Sequence, residues 1–134
     1  MYIRKDSYFV AKTMKKLLLV EDDSFIVDIY SSKFKQEGYD VDIAPDGEMA
    51  LEKLKNNLPD LLILDLVVPK IDGWGVLRSV RNDPKTKDLK VIIISNLDRK
   101  SYPDDADKLG VAKYFLKIES TPEEIANQIK EILK

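Results

Sequence analysis

From Met14 onward, short apolar runs alternate with stretches of helical periodicity. Leu17–Val20 is wholly apolar and stops at Glu21, Asp22 and Asp23; Ser24 is then placed to cap a helix carrying Ile26, Ile29, Tyr30 and Phe34. Gly38 supplies its left-handed stop. Residues 39–44 alternate, with Val41 and Ile43 opposed to Asp40 and Asp42, as in a half-exposed strand near a sheet edge. A turn at Pro45-Asp46-Gly47 opens a helix with Met49, Ala50, Leu51 and Leu54. Leu61–Leu64 is again continuous and apolar and ends at Asp65; the Asp72-Gly73 turn starts a helix with Trp74, Val76, Leu77 and Val80. Residues 91–94 are β-branched throughout and end at Ser95, the pattern of a strand covered on both faces. A helix is predicted from Tyr102 or Pro103 to Gly110, then a strand over residues 111–116 ending at Lys117. Thr121-Pro122-Glu123-Glu124 has the form of a capping box with proline at the first helical position, and Ile125, Ile129, Ile132 and Leu133 form the stripe of the last helix.

Five strands separated by five helices, with no hairpin signals, require parallel crossovers and an α/β sandwich. In such sheets ligands bind beyond the carboxyl ends of the strands. Here those ends are Glu21-Asp22-Asp23, Asp65, Ser95 and Lys117, each polar and each directly after apolar residues.

Composition narrows the chemistry. The chain has 134 residues, enough for one domain, and its 44% hydrophobic content is enough for a core. Having no Cys and no His, it has no disulfide, thiolate nucleophile, histidine triad or His-ligated metal. Any metal must sit on oxygen ligands, which favours magnesium or calcium. A formal charge of −2 argues against direct nucleic-acid binding. No apolar run approaches the roughly 20 residues of a membrane span, and the first residues do not resemble a signal peptide, so the expected location is cytoplasmic, with no membrane partner.

Each strand-end residue also has an ordinary explanation. Acids after a strand favour a helix N-terminus, Asp65 and Ser95 suit turns, Lys117 suits a solvated surface, and Tyr114 suits a core. Their coincidence at one sheet edge carries more weight. Two carboxylates about 4 Å apart repel by about 4 kcal/mol at an effective dielectric of 20, so a cluster of them takes up protons or holds a cation. Acids, a hard metal, an amine and a hydroxyl together suit phosphoryl transfer.

With those residues in view, the sequence resembles the receiver domains of bacterial two-component response regulators. The resemblance rests on Leu17-Leu18-Leu19-Val20-Glu21-Asp22-Asp23, on Gly38-Tyr39-Asp40-Val41 with Ala44-Pro45-Asp46-Gly47-Glu48-Met49-Ala50-Leu51, and most specifically on Asp60-Leu61-Leu62-Ile63-Leu64-Asp65 with Pro69 and Asp72-Gly73. Ser95, Ala106-Asp107-Lys108-Leu109-Gly110, Tyr114 and Lys117 complete it in order. It covers residues 15–134 as the receiver domain and leaves 1–14 as a leader of upstream or vector origin. It implies a flavodoxin-like (βα)5 three-layer sandwich with a five-stranded parallel sheet of order 2-1-3-4-5. It further implies that Asp65 accepts a phosphoryl group from a phosphohistidine on a sensor histidine kinase or phosphotransfer protein. Asp22, Asp65 and the backbone carbonyl of Val67 would hold Mg2+, with Glu21 acting through water. Lys117 would pair with the phosphoryl group, Ser95 would swing to hydrogen-bond it, and Tyr114 would rotate inward behind it. The implied role is a signalling phosphoacceptor with self-catalysed phosphotransfer and autodephosphorylation, not a free-standing enzyme. Its output is a switched surface for a downstream protein target.

The chain departs from the family pattern in places. The family lysine is followed by a cis-proline, whereas Lys117 precedes Ile118, so a trans bond or a strained loop is expected. Asn96 stands where a small residue is usual and is expected to crowd the phosphate. Val67 and Leu97 place apolar groups beside the path of attacking water, which predicts a long-lived acyl phosphate. A magnesium-dependent aspartyl-phosphate phosphatase would need an acid where Val67 stands, and a flavodoxin would meet repulsion from Glu21-Asp22-Asp23. A docking module that works without phosphorylation remains the alternative. With nothing after Lys134, the sequence reads as a stand-alone receiver or as a piece of a larger regulator.

Overall fold

The computed structural model describes residues 14–134, so all of the expected leader except Met14 lies outside the described residues. Five strands, β1 (Lys16–Val20), β2 (Asp40–Ala44), β3 (Leu61–Leu64), β4 (Lys90–Ser95) and β5 (Lys113–Leu116), form one sheet in the order β2-β1-β3-β4-β5. All four pairings are parallel. Four α-helices, α1 (Ser24–Gln36), α2 (Gly47–Asn56), α3 (Gly73–Asn82) and α4 (Pro122–Ile132), cover the two faces. This is the expected flavodoxin-like three-layer sandwich.

The apolar patterns explain the layers. Leu18, Val20, Leu62, Leu64, Val91 and Ile93 face α2 and α3 and pack on Ala50, Leu54, Val76, Leu77 and Val80. Their alternates Leu17, Leu19, Leu61, Ile63, Ile92 and Ile94 face α1 and α4 and pack on Tyr30, Phe34, Ile125 and Ile129. Burying each such side chain contributes about 1.5–3 kcal/mol, so the three central strands anchor the site at their ends. At the edge, β2 keeps Asp40 and Asp42 exposed, as its alternation predicts.

The structure corrects two local expectations. Helix α1 is capped by Asp23, whose carboxylate accepts from Phe25 and Ile26 N–H; Ser24 is the first helical residue. The helix expected between Tyr102 and Gly110 is not an α-helix. A 3-10 turn, Ala106–Leu109, stands there instead, and another, Arg99–Ser101, precedes it. Pro103 stands between the two turns, and the residue before it, Tyr102, is extended at φ −71° and ψ 144°. The segment is held from α3, where the Arg81 guanidinium donates to the carbonyls of Lys87, Leu89, Leu109 and Gly110. Gly38 and Gly110 have φ of 97° and 65°, the left-handed stops that glycine permits.

Candidate functional site

Sheet register builds the site. Val20 lies beside Leu64, and the ladder runs one step further, with Asp65 N–H donating to Val20 O and Glu21 N–H to Ala44 O. Glu21 and Asp65 therefore emerge as neighbours. On the other side, Ser95 pairs with Leu116, and Lys117 N–H donates to Ser95 O. Remote parts of the chain thus deliver their polar residues to one edge because the strands are parallel and adjacent.

The Lys117 ammonium sits between the two buried acids, 2.5 Å from Glu21 Oε1 and 2.8 Å from Asp65 Oδ2. Glu21 is 2% exposed and Asp65 6%. Burial, reinforced by Asp65, pushes the Glu21 carboxyl up to about 7 despite Lys117. For Lys117, burial pulls its pKa down, but the bonds to Asp65 and Glu21 outweigh it and the net shift is upward. Asp22 is exposed at the rim, yet oxygens of Glu21, Asp22 and Asp65 all lie within 4.8 Å of one another. Val67 follows with its amide donating to Asp65 Oδ1 at 3.2 Å and its side chain exposed.

Ser95 is 1% exposed, and its hydroxyl accepts from Leu97 N–H at 3.3 Å. Tyr114 pairs with Ile93 and packs, half-buried, on the α2–α3 side of the sheet. Ser95 is two residues beyond Ile93, so hydroxyl and ring share a face. Tyr114 packs on Tyr102 with ring centroids 5.5 Å apart and the planes tilted by 33°, and Tyr102 meets Trp74 edge-on at 5.0 Å. The Arg99 guanidinium lies 5.1 Å from the Tyr114 ring and 5.9 Å from that of Tyr102. The sequence offered no sign of this stack, because the helix expected there would have placed Tyr102 elsewhere.

Close backbone approach fixes the loop after Asp65. A Cβ on Gly73 would lie 2.5 Å from Asp65 O and 2.6 Å from Leu66 Cα, and Gly73 N–H donates to Leu66 O. Across the pocket, no cis peptide occurs among the described residues, so Lys117–Ile118 is trans, one of the two expected outcomes. Asn96 directs its carboxamide oxygen to Ile118 N–H at 3.1 Å, a contact that the expectation of crowding at the phosphate had not foreseen.

Three carboxylates and adjacent backbone, without nitrogen or sulfur donors, fit a hard divalent cation better than a transition metal. Among the described residues no helix is long and apolar enough to cross a membrane.

Comparison with known proteins gives one consistent result. Residues 17–130 match the response regulator receiver domain family. The chain is 33% identical over 120 residues to the alkaline phosphatase synthesis transcriptional regulatory protein PhoP of Bacillus subtilis, covering 90% of this chain and 49% of that protein. It is 35% identical over 120 residues to the probable transcriptional regulator ycf27 of Porphyridium aerugineum, covering 90% and 48%. The chain thus spans about half the length of these relatives. Among solved structures, a putative response regulator from Chloroflexus aurantiacus superposes with a TM-score of 0.81 at 32% identity, covering 90% of this chain and 98% of that one. The chemotaxis response regulator CheY4 of Vibrio cholerae gives 0.81 at 25% identity, covering 90% and 100%.

Proposed function

This chain belongs to the response regulator receiver domain family, and on that premise we propose that Asp65 accepts a phosphoryl group in a magnesium-dependent reaction. The observation that carries the proposal is the buried pair of Glu21 and Asp65 bridged by the Lys117 ammonium, with Asp22 at the open rim.

Asp65 Oδ attacks the phosphorus of a phosphohistidine on a sensor histidine kinase or phosphotransfer protein. One O–P bond forms, the N–P bond breaks, and the imidazole leaves with the bonding pair. Asp22, Asp65 and the Val67 carbonyl would hold Mg2+, with Glu21 acting through water. The ion, when bound, neutralises charge on the phosphoryl oxygens. Lys117 is already drawn to Asp65 and transfers its pairing to the incoming phosphoryl group. Ser95 gives up its local bond with Leu97 N–H and donates to the same group. The room it leaves lies on the face that bears Tyr114. Rotation of that ring changes the surface around Tyr102, Arg99 and Trp74, and the altered surface binds the downstream target. Val67, two residues after Asp65, and Leu97, two after Ser95, would set apolar groups beside the acyl phosphate, which favours slow hydrolysis. The domain comprises residues 15–134, acts in the cytoplasm and makes no direct contact with nucleic acid.

The test is incubation of the intact chain with a small phosphodonor, with and without magnesium, followed by intact-mass analysis. A single added phosphoryl group is expected in magnesium alone, with none on Asp65→Asn. Label on the Asp65→Asn variant, or none on the wild type, would overturn the reading in favour of a docking module that works unphosphorylated.

The switch has its own reporter, because Trp74 is the single tryptophan of the chain. Phosphorylation is expected to change Trp74 emission through Tyr102, with no change in Asp65→Asn and a much smaller one in Tyr114→Ala. An unchanged spectrum in fully phosphorylated wild type would count against the Tyr114 movement.

A further inference from the structure

Two departures from the family pattern meet in space. The family has proline after the lysine, which has no N–H; this chain has Ile118, whose N–H can donate. The family has a small residue after the switch hydroxyl; this chain has Asn96, whose Oδ1 accepts from that N–H at 3.1 Å. The β4–β5 ladder ends with Lys117 N–H on Ser95 O, and the Asn96 side chain adds one more rung beyond it. Ile118 is 80% exposed and gives the loop little packing. Three bonds hold the backbone around Lys117: these two and the turn bond from Glu119 N–H to Leu116 O at 3.1 Å; of the three, the Asn96 bond is the one made by a side chain.

We infer that Asn96 is a positioning residue for phosphoryl transfer: its side chain replaces the rigidity of the missing proline and holds Lys117 against Asp65. Because Asn96 directly follows Ser95, the same bond ties the switch hydroxyl to the lysine loop, so that the two move as a unit. The inference rests on the phosphoacceptor reading for its functional consequence, while its structural half stands independently.

Two readouts on the intact chain test it. The first is the rate of magnesium-dependent labelling of Asp65 by a small phosphodonor. The second, which needs no phosphorylation, is the rate at which an acylating reagent modifies Lys117, mapped by peptide mass with the other lysines as internal controls. Asn96→Ala is expected to slow labelling about 2- to 10-fold, the range set by one hydrogen bond, and to raise Lys117 acylation by a similar factor. Ile118→Pro removes the N–H, so adding Asn96→Ala to it is expected to change neither readout. Ile118→Ala keeps the N–H, and adding Asn96→Ala there is expected to produce the full defect. Wild-type values for Asn96→Ala in both readouts, or an equal loss in the Ile118→Pro background, would overturn the inference. If Ile118→Pro does not fold, the acylation of Lys117 in Asn96→Ala and in the Ile118→Ala pair decides alone. If wild type takes no label in magnesium, the phosphoacceptor reading fails, and the acylation series still decides whether Asn96 holds Lys117.

Discussion

Lys117→Met is expected to unfold at markedly lower urea concentration than the wild type at pH 8, with a loss of about 3 kcal/mol. The methionine keeps most of the stem volume but leaves Glu21 and Asp65 buried side by side without their cation. The penalty should depend on pH, and its sign follows from Glu21. Its folded-state pKa of about 7 lies above the 4.5 of an ordinary glutamate. Such a carboxyl contributes stability that is fully present below 4.5 and is lost as pH rises through about 7. Without Lys117, one of the influences lowering that pKa is gone, and protonation becomes the main relief. At pH 5.5 the gap to wild type should therefore shrink to about 1 kcal/mol. Millimolar magnesium should also narrow it at pH 8, because a divalent cation compensates the same charges. Labelling of Asp65 should fall about 100-fold, the typical effect of removing a preorganised charge partner. Coincident urea curves at pH 8 would show that the ion pair contributes nothing to the fold.

Gly73→Ala is the second substitution with a large expected effect. Its Cβ would meet the backbone of Asp65 and Leu66 at 2.5 and 2.6 Å, distances that no rotamer change relieves. Either α3 or the loop after β3 must shift, at a cost of about 3 kcal/mol, the upper part of the range for overpacking. The displaced loop carries Asp65, so the labelling rate should fall even under conditions where the variant is fully folded. Thermal unfolding and labelling together check both halves; a stable variant that takes label at the wild-type rate would mean that the close approach has no role in placing Asp65.

These substitutions also show what was legible in the sequence. The continuous apolar runs of β1, β3 and β4 identified the strands buried on both faces, and parallel topology brought Glu21, Asp65, Ser95 and Lys117 to one edge. Glycine stops and the Thr121 capping box were equally plain, because each is a local backbone requirement. The loops were not. The segment around Pro103 forms 3-10 turns where an α-helix was expected, while Asp23 took the cap in place of Ser24. The Asn96–Ile118 bond joins residues 22 positions apart, and the Gly73 approach depends on how α3 meets β3. Both arise from tertiary placement, which hydrophobic periodicity does not encode.

The ion pair between Glu21 and Lys117 joins residues 96 positions apart. Contacts of that separation close only after the chain between them is in place. During synthesis, therefore, an emerging polypeptide holds Glu21, Asp22 and Asp65 without the Lys117 amine until the fifth strand has left the ribosome. A chain interrupted before Lys117 would hold Glu21 and Asp65 without the cation that pairs with both.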